Sequence, residues 1–268
     1  SHMFMRALNM RAMSDMEYRA EVLKQFPGYK QIPNIVSPPV EAFAGPDKSP
    51  KIAAVGNDEI KKITETYPEY YEGFIAGIPF NNVPASVEEI KRCKDMGAKG
   101  VQIYAHMNGE AIDTEKYWPI YEICEKLDLP ILIHPVGGQM VPEFPTETRS
   151  KYELWFTIGW PYQTTVAMFR LAFSGIFEDF PNIKIITHHV GAMVPMLGGR
   201  IENGLKLYGS RTAPELKEEL TKTKMKGDPL DTFKKYYADT ASFGSTSAIR
   251  AGIDFFGVDH ILFASDMP

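Results

Sequence analysis

The chain has 268 residues, 44% hydrophobic and 24% charged, with a formal net charge of −5, which is the composition of a folded globular protein with one sizeable core. The acidic balance argues against nucleic acid and anionic membrane surfaces as partners, and no apolar run approaches the length that spans a bilayer. The two cysteines, Cys93 and Cys124, form no Cys-x-x-Cys pair and read as reduced packing residues of a cytoplasmic protein.

Ser1-His2-Met3 reads as the remnant of a cleaved expression tag, and residues 1–13 are otherwise an unassigned lead-in to a single expected domain, 14–268. Ser14-Asp15-Met16-Glu17 is a capping box whose helix should run to about Phe26, with Gly28 behind it. Residues 32–36 read as a strand that ends before Pro38-Pro39. A helix is expected over 52–67, a strand over 74–78, and a second capping box at Ser86-Val87-Glu88-Glu89 opens a helix that stops before Gly97. A strand over 100–104 and a helix over 114–127 lead to Pro130-Ile131-Leu132-Ile133-His134-Pro135. Three consecutive aliphatic residues, two of them β-branched, read as a strand buried on both faces, and Pro135 stops it.

The connection over 136–159 carries Phe144, Tyr152, Trp155 and Phe156. It is too aromatic for a disordered linker and reads as a functional loop. Pro161 suits a helix N-terminus, with apolar sequence to Phe177. A strand over 183–189 ends in His188-His189. There follow a helix over 193–208, a solvated helix over 215–226, a strand over 236–239, a helix over 245–255 and a last strand over 261–266 that ends in Asp266.

Strands alternating with helices specify an α/β protein with a parallel sheet. Metal-type ligands at the C-terminal ends of several strands favour a closed (β/α)8 barrel. Seven strands are countable where eight are needed, so the chain is expected to lack the barrel's first strand and last helix, with a breach at the two edges.

With these residues in place, the sequence resembles the amidohydrolase-related (amidohydrolase 2) family, and within it the amino-carboxymuconate-semialdehyde and resorcylate-type decarboxylases. The motifs that carry the likeness are Leu129 to Pro135, Thr187-His188-His189-Val190-Gly191 with Pro195 and Gly199-Arg200-Ile201, and Ala264-Ser265-Asp266-Met267-Pro268. The resemblance implies a metal-dependent-hydrolase type of TIM barrel with zinc, or manganese, at the C-terminal face. It implies His134 as a metal ligand, Asp266 as a ligand and proton carrier, and His189 as the catalytic histidine near the metal. It also implies a small carboxylate substrate, and a homodimer is one expectation. The family's first-strand His-x-His or Glu-x-His pair has no counterpart here, and two or three remaining ligands would hold zinc poorly.

Further candidates are suggested by position. His106 follows a strand and either lines the pocket or sits on a surface loop, and Asp239 ends a strand and is expected to face the pocket. Arg149, Tyr152 and Trp155 in the long loop could bind a carboxylate and a ring, or simply pack a lid. His188 is expected to face the opposite side of its strand from His189, Arg200 to form a salt bridge, Trp160 to pack at the start of its helix, and His260 to be structural. The function that fits is metal-dependent, non-oxidative decarboxylation of a small aromatic or unsaturated carboxylic acid. The alternatives are a metal-dependent hydrolase of an amide, ester or lactone, and a metal-free barrel used for binding or assembly.

Overall fold

The computed structural model describes residues 9–35 and 37–266. The described residues form two units, one of residues up to Ile103 together with Asp266, and one of Tyr104–Ser265.

In the first unit a single turn, Arg11–Ser14, precedes helix α1, Met16–Leu23. Its cap is Asp15 rather than Ser14, with the carboxylate accepting the Tyr18 N–H at 2.9 Å, and the helix stops three residues short of Phe26. Residues 32–35 are not a strand. Gln31 makes one isolated bridge to Tyr71, and Pro33 has no N–H to continue a ladder; Val36 lies outside the described residues. Helix α2 (Ser49–Thr66), strand β1 (Ile75–Gly77), helix α3 (Val83–Asp95) and strand β2 (Gly100–Tyr104) come next. β1 and β2 pair in parallel, with Ala76 opposite Val101.

The expected cap of α3 is displaced. Asn82 caps the helix by accepting the Ala85 N–H, and Pro84 takes the first turn, where its missing N–H costs nothing. Ser86 is therefore inside the helix, buried, with its hydroxyl donating to the Pro79 carbonyl at 2.8 Å. Ile60, Phe74, Ala76, Cys93 and Ala98 make the core between these elements, and burial pushes the Cys93 thiol well up from its ordinary pKa.

The second unit opens on an antiparallel hairpin that is not among the expected strands, β3 (His106–Met107) and β4 (Glu110–Ala111). Asn108 and Gly109 turn it with φ of 50° and 90°, the positive-φ pair that Asn-Gly serves in tight hairpins. Next come helix α4 (Trp118–Lys126), strand β5 (Ile131–His134), helix α5 (Trp160–Ser174), strand β6 (Ile185–Thr187), strand β7 (Tyr237–Asp239), helix α6 (Thr246–Phe256) and strand β8 (Ile261–Leu262). β5, β6, β7 and β8 are parallel neighbours in that order, with Ile133 opposite Thr187 and Thr187 opposite Ala238. Parallel pairing puts their C-terminal ends, and the residues just beyond them, along one edge.

Two expected helices are broken. Over 193–208 the chain forms short 3-10 turns, Pro195–Leu197 and Leu205–Leu207, around a π-helical turn, Arg200–Gly204; Gly198, Gly199 and Gly204 weaken a continuous helix there. Over 215–226 only Pro214–Leu216 and Lys217–Leu220 are helical, because so charged a segment has no apolar face to bury. β8 also ends at Leu262, well before Asp266. Among the described residues no helix is long and apolar enough to cross a membrane.

One buried polar junction ties the first unit together. Asn57 of α2 is fully buried, donates to the Gly77 carbonyl at 2.8 Å and to Glu89 Oε1 at 2.7 Å, and accepts the Gly77 N–H at 2.9 Å. Burial alone would raise the Glu89 carboxyl; the Arg92 guanidinium and the Asn57 amide outweigh it and hold the pKa below its ordinary value. Asn57→Leu strands three polar groups, and should cost about 3 kcal/mol, read as a lower urea midpoint at unchanged m-value. An unchanged midpoint would show that the junction contributes nothing.

Candidate active site

Four parallel strands bring their C-terminal ends together, and the residues just past those ends build the site. β5 delivers His134. β6 ends at Thr187, two residues short of the strand end expected at His189, so His188 and His189 leave the sheet. His189 and Val190 have φ of 60°, Gly191 69° and Ala192 55°, four successive residues at positive φ. A β-branched residue there costs roughly 1–2 kcal/mol, so packing must hold the turn. It does so through two glycines. A Cβ on Gly252 of α6 would lie 2.3 Å from Val190 Cγ1, and one on Gly191 would lie 2.6 Å from the Phe256 ring. Helix α6 therefore presses directly on the strained turn.

The turn brings three imidazoles together. The His134 ring centroid is 5.2 Å from that of His188 and 5.7 Å from that of His189, and the latter two are 6.0 Å apart. His188 thus shares the site with His189, against the expectation of opposite faces, because strand alternation no longer applies past Thr187.

Each Nδ1 faces an oxygen acceptor. His134 Nδ1 is 2.5 Å from the Pro135 carbonyl, His188 Nδ1 is 2.6 Å from Asp239 Oδ2, and His189 Nδ1 is 2.9 Å from the Ala241 carbonyl. Carbonyls only accept, so His134 and His189 are Nδ1–H tautomers when neutral, and the carboxylate imposes the same on His188. The lone pair of each neutral ring is then on Nε2. The Nε2 atoms of His188 and His189 are buried without a partner.

Asp239, 2% exposed, organises the ends of β6 and β7. Its Oδ1 accepts the N–H of His189 at 2.8 Å and of Ala241 at 3.0 Å, while Oδ2 takes His188. Burial alone would raise its carboxyl. The facing His188 and His189 and the Ala241 N–H outweigh burial and hold the pKa below the ordinary value. Asp239 therefore holds the histidines rather than offering a free carboxylate to a ligand. Burial, followed by repulsion from His188 and His189, pushes the His134 pKa down to about 3, so His134 is neutral across the physiological range.

An aromatic wall stands beside His134. Trp160 packs edge-on at 5.6 Å, with its Nε1–H donating to the Gly137 carbonyl at 2.8 Å. Trp155 and Phe156 pack on Trp160 at 5.4 and 4.9 Å, and Phe243 meets Phe156 at 6.0 Å. Tyr104 lies 6.0 Å from His134. Among the ring contacts of the described residues, Trp155 is linked to His134 through Trp160. Tyr152 is 88% exposed and Arg149 is exposed; neither is brought to the histidines. His106 lines a separate cleft. Arg200 is exposed, with no salt bridge among the described residues. Asp266 is exposed with φ of 55°. His260 serves the fold, bonding the Tyr236 carbonyl at 3.0 Å and stacking on Tyr237 at 4.2 Å.

Unpartnered, buried Nε2 lone pairs are the donor chemistry that a divalent cation requires. The described residues supply only part of a coordination sphere, since among them no three His, Cys, Asp or Glu side chains stand in a metal-holding arrangement. The neighbouring carboxylate and aromatic wall suit a planar substrate beside a proton-handling group.

Comparison with known proteins gives a consistent family. The profile of the family described as "Amidohydrolase" matches residues 11–268. A 2-amino-3-carboxymuconate-6-semialdehyde decarboxylase from Dictyostelium discoideum is 27% identical over 230 residues, 84% of this chain and 59% of that protein. The chain thus spans well under two thirds of that relative. A gamma-resorcylate decarboxylase from Polaromonas sp. is 26% identical over 273 residues, 97% of this chain and 79% of that protein. The crystal structure of a dihydroxybenzoic acid decarboxylase from Polaromonas sp., with bound manganese and the inhibitor 2-nitroresorcinol, superposes with a TM-score of 0.79 at 24% identity, covering 96% of this chain and 77% of that one. The fold is therefore the parallel α/β barrel type of these metal-dependent enzymes.

Two measurements test this geometry. The folded His134 pKa of about 3 lies below the unfolded value of about 6.5, so the unfolded chain binds the extra proton. Its contribution is complete above pH 6.5 and is lost as pH falls towards 3, at about 1.4 kcal/mol per pH unit. Urea titrations of metal-free protein should show this limb, and His134→Gln should lack it; parallel pH profiles for the two proteins would contradict the burial argument. Gly252→Ala should cost about 1–2 kcal/mol despite alanine's better helix propensity, because Val190 has nowhere to go. A more stable variant would show that the turn yields freely.

Proposed function

This chain belongs to the amidohydrolase family, and on that premise we propose that it is a metal-dependent, non-oxidative decarboxylase of a small aromatic or unsaturated carboxylic acid. The observation that carries the reading is the set of three imidazoles whose Nδ1 atoms all face oxygen acceptors, leaving Nε2 lone pairs beside an aromatic wall. The names and substrates of the relatives support the same reaction class.

His134 would hold a divalent ion through Nε2, since its neutral, desolvated ring is a ligand rather than a base. For Asp266 as a ligand or proton carrier the support is its sequence motif alone. Zinc is the proposed metal for imidazole and carboxylate donors, and manganese, present in the Polaromonas structure, is the second to load. When bound, the ion polarises a substrate oxygen and neutralises its charge.

The chain's own residues do the rest. Decarboxylation breaks the bond between the ring carbon and the carboxyl carbon, releases CO2 and leaves one proton to be supplied to that carbon. Nε2 of His189 takes up this proton and delivers it, while the Ala241 carbonyl keeps Nδ1–H fixed and Asp239 fixes the backbone N–H. Asp239 also orients His188 and offsets positive charge on the ring pair. Trp160 and the aromatic residues behind it hold a flat substrate and exclude water, which would otherwise compete for the proton. The protein acts, on this reading, as a cytoplasmic enzyme and a homodimer.

The test is CO2 release from a panel of hydroxybenzoates and unsaturated amino-carboxylic acids, with zinc or manganese loaded. We expect one substrate class to turn over, with His189→Asn lowering kcat about 10²–10⁴-fold at little changed KM, and His134→Ala abolishing both activity and retained metal. Hydrolysis of amide, ester or lactone probes without CO2 release would replace this reading with the hydrolase alternative.

A further inference from the structure

A second cleft lies in the same unit as the histidine set, lined by other side chains. It has a volume of about 220 Å³ and is formed by the β3–β4 hairpin and one face of α5. Its apolar lining is Ala111, Ile112, Val166 and Ala167, of which Val166 is exposed. Three of its lining residues, His106, Gln163 and Arg170, carry polar groups whose remaining capacity can be worked out.

His106 Nδ1 accepts the Gly109 N–H at 3.1 Å, so the neutral ring carries its proton on Nε2 and donates there. Burial holds this imidazole below its ordinary pKa. Gln163 Oε1 accepts two backbone N–H groups, of Val136 at 3.2 Å and of Gly137 at 2.9 Å. That fixes which end of the amide is oxygen, and leaves the amide nitrogen to donate. Arg170 commits Nε to Asp113 Oδ2 at 2.8 Å, which leaves the two terminal nitrogens. His106 and Arg170 thus keep donors that these bonds leave over, beside the apolar side chains of the cleft, while the Gln163 amide lies against Gly137. With the Arg170 guanidinium and the His106 Nε2–H beside apolar side chains, and the Tyr162 hydroxyl able to donate or accept, a cleft of this size suits a small ligand with an apolar body and a paired acceptor.

We propose that this cleft is a binding site for a small organic carboxylate, distinct from the histidine set, with Arg170 and His106 taking the carboxylate and Val166 and Ile112 its body. The proposal does not depend on the decarboxylase reading. Gln163 gives the site a physical link to the segment behind His134, because the same side chain that lines the cleft holds the Val136 and Gly137 N–H groups.

The test titrates sodium benzoate, with benzamide as the uncharged analogue, into the purified protein, followed by NMR saturation transfer. Binding should appear at millimolar concentration and weaken about tenfold for benzamide and in Arg170→Leu. Because Arg170→Leu also strands Asp113, a second variant, Val166→Phe, fills the cleft without touching the ion pair and should weaken binding as much. His134→Ala should leave this binding in place. Benzoate binding that survives Val166→Phe but disappears in His134→Ala would assign it to the histidine site and overturn the proposal. So would the absence of any binding up to about 50 mM.

Discussion

The carboxylate of Asp239 takes three hydrogen bonds at once, from the His188 ring and from the backbone of His189 and Ala241. The geometry of the site depends on it. β6 would otherwise continue its alternation and send one histidine away from the other. Instead the acceptor at the end of β7 holds the His189 N–H at the start of a left-handed turn, and both rings face His134. The turn is strained, with Val190 in a conformation that β-branched residues avoid. The strain is offset by the close approach of α6 at Gly252 and Gly191. Strain at such a place is usual where a chain must aim side chains rather than continue an element.

The second constraint is tautomeric. Three different acceptors, two carbonyls and one carboxylate, make the same choice of ring nitrogen in three histidines. A single such contact would be ordinary satisfaction of a buried ring. Three together convert a hydrophobic pocket into a set of lone pairs, and low dielectric keeps at least His134 neutral. The aromatic wall from Trp160 outward has a related dependence, because Trp160 and Gln163, both on α5, hold the Gly137 and Val136 backbone that comes after His134. One helix therefore fixes the wall and the segment that follows His134 together.

Much of this is legible in the sequence. The run Ile131 to Ile133, ending in His134 and Pro135, announces a buried strand with a histidine at its tip, and the later β-branched run does the same for His188 and His189. The parallel α/β class follows from the alternation alone. The rest depends on tertiary partners. Residues 32–36 have strand-like apolar residues, but Pro33 removes a ladder donor. Ser86 and Glu89 look like a capping box, yet Asn82 and Pro84 start the helix earlier and Glu89 is drawn to Asn57 and Arg92. The place of His188 depends on Asp239, fifty-one residues away in sequence, which no local pattern encodes. Tyr152 and Arg149 are reasonable loop candidates by residue type, but left-handed backbone at Tyr152 turns that side chain to solvent. The Asn108-Gly109 pair is a readable hairpin signal, but the strands it joins are only two residues long, too short to show a period of two.

The most direct test of the site is its tautomers. Two-bond proton–nitrogen correlation spectra of the metal-free, ring-labelled protein report which nitrogen of each imidazole carries the proton. The Nδ1–H form is expected for His134, His188 and His189, with zinc addition moving the Nε2 resonance of His134. An Nε2–H form at His134 or His189 would remove the lone pair on which metal binding and proton delivery rest, and would contradict the account.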